Sequence, residues 1–273
     1  MHHTVLLPLL VFLIFSSCSN EPHYHFVKIR GKQQHVLTWG KGEPVVVFLS
    51  GGGSGLKDFK PVQQVICKTT KTISYDKFGL GKSELIDTPR TLENITEELQ
   101  ELLEKEESID MPLILVGHSM GGYVARYYLH RYPENVIGII LIDPGSEFLH
   151  EEYRKTRTEK ELQEEDSLLS AQIKRIPKGF QMEVNAYNQH DSLLQTFAME
   201  TTIPITLLES NSIDENDPSE KKLIEIQKRL YREFQKKVPQ TKIISTSKSG
   251  HFIQLDEPNL VIGAIHEMLV KVQ

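Results

Sequence analysis

Cysteine is scarce. The 273-residue chain has only Cys18 and Cys67, too few for the disulfide framework of a small secreted scaffold. An excess of positive charge is also missing. Lys and Arg total 31 against 37 Asp and Glu, a net charge of −6. That balance argues against nucleic acid as a partner, because nucleic-acid binders carry a basic face. There is no internal repeat, low-complexity tract, metal-ligand spacing or dinucleotide fingerprint after a strand-like run. The acidic run Glu97–Glu107 reads as a solvated helix face, not as a metal site. The longest apolar run, Val5 to Phe15, falls short of the roughly 20 residues that span a bilayer. What is present is globular: 39% hydrophobic and 25% charged residues exclude whole-chain disorder and a collagen-like repeat. The length suits one large core, or one domain carrying an insertion.

Residues 1–17 contain no Lys, Arg, Asp or Glu, and their apolar run ends in Ser16-Ser17. A short apolar core followed by small residues reads as a secretory signal. The segment Phe15-Ser16-Ser17-Cys18-Ser19-Asn20 resembles the lipobox of bacterial lipoproteins. That resemblance implies cleavage before Cys18 and lipidation of its thiol. Residues 18–24 would then be a tether holding the protein at a bacterial membrane; the alternative is a periplasmic or secreted protein. Cys67 is left without a partner and is expected to be a buried thiol.

From residue 25 onward the chain alternates strand-like and helical runs. His23–Ile29 and Gln34–Trp39 flank Gly31 and read as a hairpin. Val45–Leu49 is a continuous run of β-formers stopping at Ser50-Gly51-Gly52-Gly53, as in a strand covered on both faces of a parallel sheet. Further strands are expected at Thr72–Tyr75, Leu113–Val116, Ile137–Ile142, Ile205–Leu208 and Lys242–Ser245. Helices are expected at Leu92–Glu106, Met120–Tyr132, Ser219–Lys237 and Asn259–Lys271. This alternation predicts an α/β class with a doubly wound, mostly parallel sheet. From Ser146 to about Glu200 the chain is helical and charged. It interrupts the alternation once, so residues 146–200 read as a helical lid inserted into a core of residues 25–145 and 201–273.

Gly117-His118-Ser119-Met120-Gly121-Gly122 lies between an expected strand and an expected helix. The chain must turn there at one residue, which strains that residue's backbone, and the glycines remove side chains that would collide. Ser119 is left projecting at a helix N-terminus, where partial positive charge favours developing negative charge. A serine hydroxyl needs a base within reach to act as a nucleophile. The turn points His118 away from Ser119, which makes His118 a packing residue.

The Gly-x-Ser-x-Gly turn, the Leu49-Ser50-Gly51-Gly52-Gly53 loop, Tyr75-Asp76-Lys77-Phe78-Gly79-Leu80-Gly81-Lys82-Ser83 and Ser249-Gly250-His251-Phe252 together resemble the α/β-hydrolase superfamily, in order and over most of residues 25–271. Ser50 stands where that family has histidine. The resemblance implies a serine hydrolase cleaving carboxylic esters through an acyl-enzyme, without cofactor or metal. Ser119 would be the nucleophile and His251 the base, with oxyanion donors on the N–H groups of Gly52 and Met120. Three residues are candidates for the acid. Asp143 follows the Ile137–Ile142 strand in Leu141-Ile142-Asp143-Pro144, where one family branch carries it. Asp214 and Glu209 follow the next strand, the commoner home, although the usual Gly-x-x-Asp is absent. An Asp-Pro can also be only a turn. An aminopeptidase, an amidase, an acyltransferase or a cofactor-free haloperoxidase-like enzyme would share the same triad. Family epoxide hydrolases and dehalogenases use aspartate as nucleophile, and Ser119 speaks against both. A non-catalytic protein holding a small ligand under the lid is the alternative of another class. No signal bears on oligomeric state.

Overall fold

A computed structural model of the chain describes residues 21–212 and 218–272. The expected signal, Cys18 and Asp214 lie outside the described residues. Strand β1 (His23–Ile29) pairs with β2 (Lys32–Trp39) as an antiparallel hairpin. His23 and Tyr24, the last two residues of the expected 18–24 tether, belong to β1, where they pair with Thr38 and Leu37; residues 18–20 lie outside the described residues.

The remaining strands are β3 (Val45–Leu49), β4 (Thr72–Tyr75), β5 (Leu113–His118), β6 (Val136–Ile142), β7 (Ile205–Ser210) and β8 (Thr241–Thr246). They form one eight-stranded sheet in the order β1-β2-β4-β3-β5-β6-β7-β8. From β4 to β8 every neighbouring pair is parallel. This is the α/β-hydrolase fold, with helices on both faces.

Alternation along each strand divides the core in two. Val45, Val47, Leu49, Leu113, Leu115, Ile139 and Leu141 face one side, where they meet helices α2 (Leu92–Lys105) and α3 (Met120–Arg131). Val46, Phe48, Ile114, Val116, Ile140 and Ile142 face the other, against α1 (Lys60–Ile66) and α9 (Pro258–Lys271). Helix α1 lies in a stretch for which the sequence predicted no helix. It is one short amphipathic segment with Val62 and Ile66 four residues apart and buried.

Between β6 and β7 stand three helices, α4 (Leu149–Arg154), α5 (Glu159–Ile173) and α6 (Lys178–Leu194). Helix α5 buries no residue and starts with a Thr158/Glu161 capping box. Helix α6 buries Gly179, Glu183, Ala186, His190 and Leu194 at helical spacing. Its buried face is partly polar, so its packing depends on finding partners for Glu183 and His190. Helices α7 (Pro218–Lys237) and α8 (Ile253–Asp256) complete the chain. No described helix is long and apolar enough to cross a membrane.

Candidate active site

The parallel strands deliver their following loops to one edge of the sheet, where ligand sites of open α/β sheets form. Register sets the alignment: Leu49 pairs with Gly117, and His118 with Ile142. The Gly51–Gly53 loop, Ser119 and Asp143 therefore leave neighbouring strands side by side.

Ser119 sits between β5 and α3 with φ 52° and ψ −118°. A non-glycine residue in this region is strained, and it persists only where the surroundings enforce it. Enforcement comes from close packing. A Cβ on Gly121 would lie 2.0 Å from the Leu49 carbonyl oxygen, and one on Gly117 would lie 2.4 Å from the Gly121 oxygen. Backbone bonds lock the turn as well: Ser119 N–H donates to the Ile142 carbonyl at 3.0 Å, and Gly145 N–H to the Ser119 carbonyl at 3.2 Å.

Asp143 is the second strained residue, with φ 38°. Its carboxylate is buried and well supplied with donors. Oδ1 accepts from Ser210 N–H at 3.2 Å and from Gln227 Nε2 at 3.2 Å. Oδ2 accepts from His251 Nδ1–H at 2.7 Å. That bond leaves His251 Nε2 as the basic nitrogen. His251 is 45% exposed and Asp143 7%, so the imidazole is reachable while its partner is fixed. Ser119 and His251 line the same two adjoining cavities, of about 470 and 920 Å³.

Glu209, one of the three candidate acids, is placed elsewhere. It is buried at the end of β7 and bonded to Arg232 at 2.6 Å and Ser245 at 2.5 Å. Glu209 lines neither cavity, whereas the following residue, Ser210, lines one of them and donates its backbone N–H to Asp143. Gly52 lines the larger cavity beside Ser119, and Met120 is the first residue of α3. No described backbone carbonyl accepts from either N–H. A helix's first N–H groups have no partner within the helix, which leaves Met120 N–H free for a ligand.

Other side chains around the cavities were not legible in the sequence. Tyr187 of α6 lines both cavities together with Ser119, and burial pushes its pKa up to about 12. One turn further, Asp191 Oδ1 accepts from the Tyr123 hydroxyl at 2.8 Å. Burial raises the Asp191 pKa to about 6. Asp191 lines both cavities. Only its helical spacing from Tyr187 hinted that it shares a face with the site. His118 is buried, as a packing residue should be, but its Nε2–H also donates to the His251 carbonyl at 2.8 Å. Among the described residues no group of three His, Cys, Asp or Glu could hold a metal.

A family model described as the alpha/beta hydrolase fold matches residues 44–200. The chain belongs to that family. An AB hydrolase superfamily protein of Gibberella zeae is 29% identical over 136 residues, 48% of this chain and 41% of that protein. The (lyso)-N-acylphosphatidylethanolamine lipase of Bos taurus is 36% identical over 102 residues, 37% of this chain and 29% of the lipase. The chain thus spans well under half the length of these relatives. Among solved structures, a thermophilic esterase from Thermogutta terrifontis aligns with TM-score 0.63 at 20% identity, over 92% of this chain and 99% of that one. The epoxide hydrolase CorEH aligns with TM-score 0.67 at 17% identity, over 93% and 100%. At these identities the likeness is one of fold.

Proposed function

We propose that the protein is a serine hydrolase that cleaves carboxylic esters through an acyl-enzyme, with Ser119, His251 and Asp143 as its triad. The observation that carries this reading is the 2.7 Å bond from His251 Nδ1 to Asp143, beside a strained serine that opens onto the same cavities. His251 Nε2 takes the Ser119 proton as Oγ attacks the ester carbonyl. Asp143 holds the imidazole in the required tautomer and stabilises its protonated form. The N–H groups of Gly52 and Met120 receive the oxyanion, each worth about 3 kcal/mol in the transition state. His251 then protonates the departing alcohol. Water, deprotonated by the same nitrogen, attacks the acyl carbon and frees the acid and Ser119.

The three insertion helices act as the lid in this reading and shape the acyl and leaving-group pockets. The lipase name of one relative is consistent with ester substrates. A lipid anchor at Cys18 on a bacterial membrane is the matching localisation. Cleavage of amides with a free amino group is a second reading. Asp191 favours it, because its carboxylate lines both cavities and the hydroxyl of Tyr123 is its bonded partner.

A fluorophosphonate probe tests the chemistry. Wild-type protein becomes labelled at Ser119 and hydrolyses a p-nitrophenyl ester, and Ser119→Ala does neither. Labelling at another residue, or none, would reject the proposal. A panel of p-nitrophenyl esters and aminoacyl anilides separates the two readings.

A further inference from the structure

Lys77 and Glu183 form an ion pair with Nζ 2.8 Å from Oε1 and side-chain exposures of only 3% and 0%. Such burial is costly for both charges unless further polar contacts compensate. Here those contacts fall on one loop. Lys77 Nζ donates to the Gly51 carbonyl at 2.6 Å, and Glu183 Oε2 accepts from Gly53 N–H at 2.8 Å. The Gly51 carbonyl belongs to the same peptide unit as Gly52 N–H, and the Gly53 N–H belongs to the unit that follows Gly52. The pair therefore grips the peptide planes on both sides of Gly52.

Peptide geometry converts that grip into a direction. In a planar trans peptide the C=O and N–H point opposite ways. A cation on the Gly51 oxygen thus aims Gly52 N–H away from Lys77 and polarises it into a stronger donor. Glycine would otherwise leave both planes free to rotate. Lys77 comes from the turn after β4, whereas Glu183 comes from α6. Helix α6 is itself seated tightly on that turn: a Cβ on Gly179 would lie 2.3 Å from the Gly79 carbonyl oxygen. Burial lowers the Lys77 pKa from its ordinary value, and Glu183 is the main influence opposing that shift.

Building on the ester-hydrolase reading, we infer that Lys77 and Glu183 are positioning residues for the oxyanion hole. The insertion helix α6 thereby sets the direction of the Gly52 donor.

The test compares full-length wild type with Lys77→Met/Glu183→Leu and Glu183→Gln. Replacing both buried charges by apolar residues is often neutral for stability, so the double variant separates positioning from folding. All forms are assayed about 10 °C below their own melting midpoints. The double variant is expected to lose about 10²-fold in kcat on p-nitrophenyl butyrate, as for loss of one oxyanion donor. KM should change by less than about threefold, because the lost interaction exists only in the transition state. Fluorophosphonate labelling should slow in parallel. Glu183→Gln retains an acceptor for Gly53 N–H and should recover to within about tenfold of wild type. A double variant with wild-type kcat, a loss confined to KM, or a Glu183→Gln as impaired as the double variant would overturn the inference alone. A wild type that neither labels nor turns over would overturn the hydrolase reading and the pair's role with it.

Discussion

His118 donates from Nε2 to the backbone carbonyl of His251 at 2.8 Å, and the two rings lie 4.6 Å apart. The residue before the proposed nucleophile thus holds the loop that carries the proposed base. Burial, followed by the nearby His251, lowers the His118 pKa to about 3. His118 therefore stays neutral throughout the working pH range and keeps one N–H for this bond. His118→Phe should retain the packing and lose the bond. We expect kcat to fall about tenfold or more, given that a displacement of about 1 Å can cost 10²-fold. The midpoint of the acid limb of the kcat–pH profile should not trace to His118. A variant with unchanged kcat would show that the loop is held without it.

Asp143 and Glu209 were rivals for one role and are now separable by measurement. Asp143→Asn should reduce kcat by about 10³- to 10⁴-fold, because an amide cannot hold the required imidazole tautomer. Glu209→Gln should leave kcat within about threefold. It should lower the melting midpoint, because Arg232 and Ser245 lose a buried carboxylate partner. The reverse pattern in steady-state kinetics would return the acid role to β7.

Legibility followed locality. The turn around Ser119 could be read from its residues because each is required by backbone only a few positions away, as the clash distances at Gly117 and Gly121 demonstrate. The strand runs of β3 to β6 were legible because burial on both faces leaves near-continuous apolar stretches. The acid stayed open because it is selected by strand register: Asp143 and the end of β7 compete for the same imidazole from adjacent strands. The role of α6 was illegible for a similar reason. Glu183 is one acid in a charged stretch, and its value depends on Lys77, more than 100 positions earlier. Helix α1 was missed because seven residues hold too few turns for the helical period to stand out.

Asp191 makes stability depend on pH in a defined direction. Its folded pKa is raised from 3.8 to about 6, chiefly by burial. A raised acid pKa means that its contribution is fully present below about pH 4 and is lost as pH rises through about 6. Asp191→Asn removes that loss. The variant should melt higher than wild type at about pH 8, and the difference should close towards about pH 4. After allowance for solvent screening the gain is on the order of 1 kcal/mol, or about 2–4 °C for a chain of this size. If the cavity takes amines, the same variant should raise KM for aminoacyl anilides and leave neutral esters unaffected. Thermal scans at the two pH values and the paired KM measurements check both statements.

Away from the site, Arg90 and Glu98 join the loop before α2 to that helix through two bonds of 2.7 Å, with exposures of 1% and 2%. The Arg90 carbonyl also accepts from His190 Nε2–H of α6 at 2.9 Å. One buried pair therefore braces the segment on which the insertion rests. Glu98→Ala leaves an unpaired buried guanidinium and should cost about 3–5 kcal/mol. At about 2–4 °C per kcal/mol, that is a drop of roughly 10 °C in melting midpoint. Arg90→Met/Glu98→Leu removes both charges and should melt within a few degrees of wild type. Its kcat, measured well below the melting midpoint, should stay within about threefold, because the pair touches neither cavity. A double variant as unstable as Glu98→Ala would mean that the segment depends on the ionic bonds themselves, and that apolar packing cannot replace them.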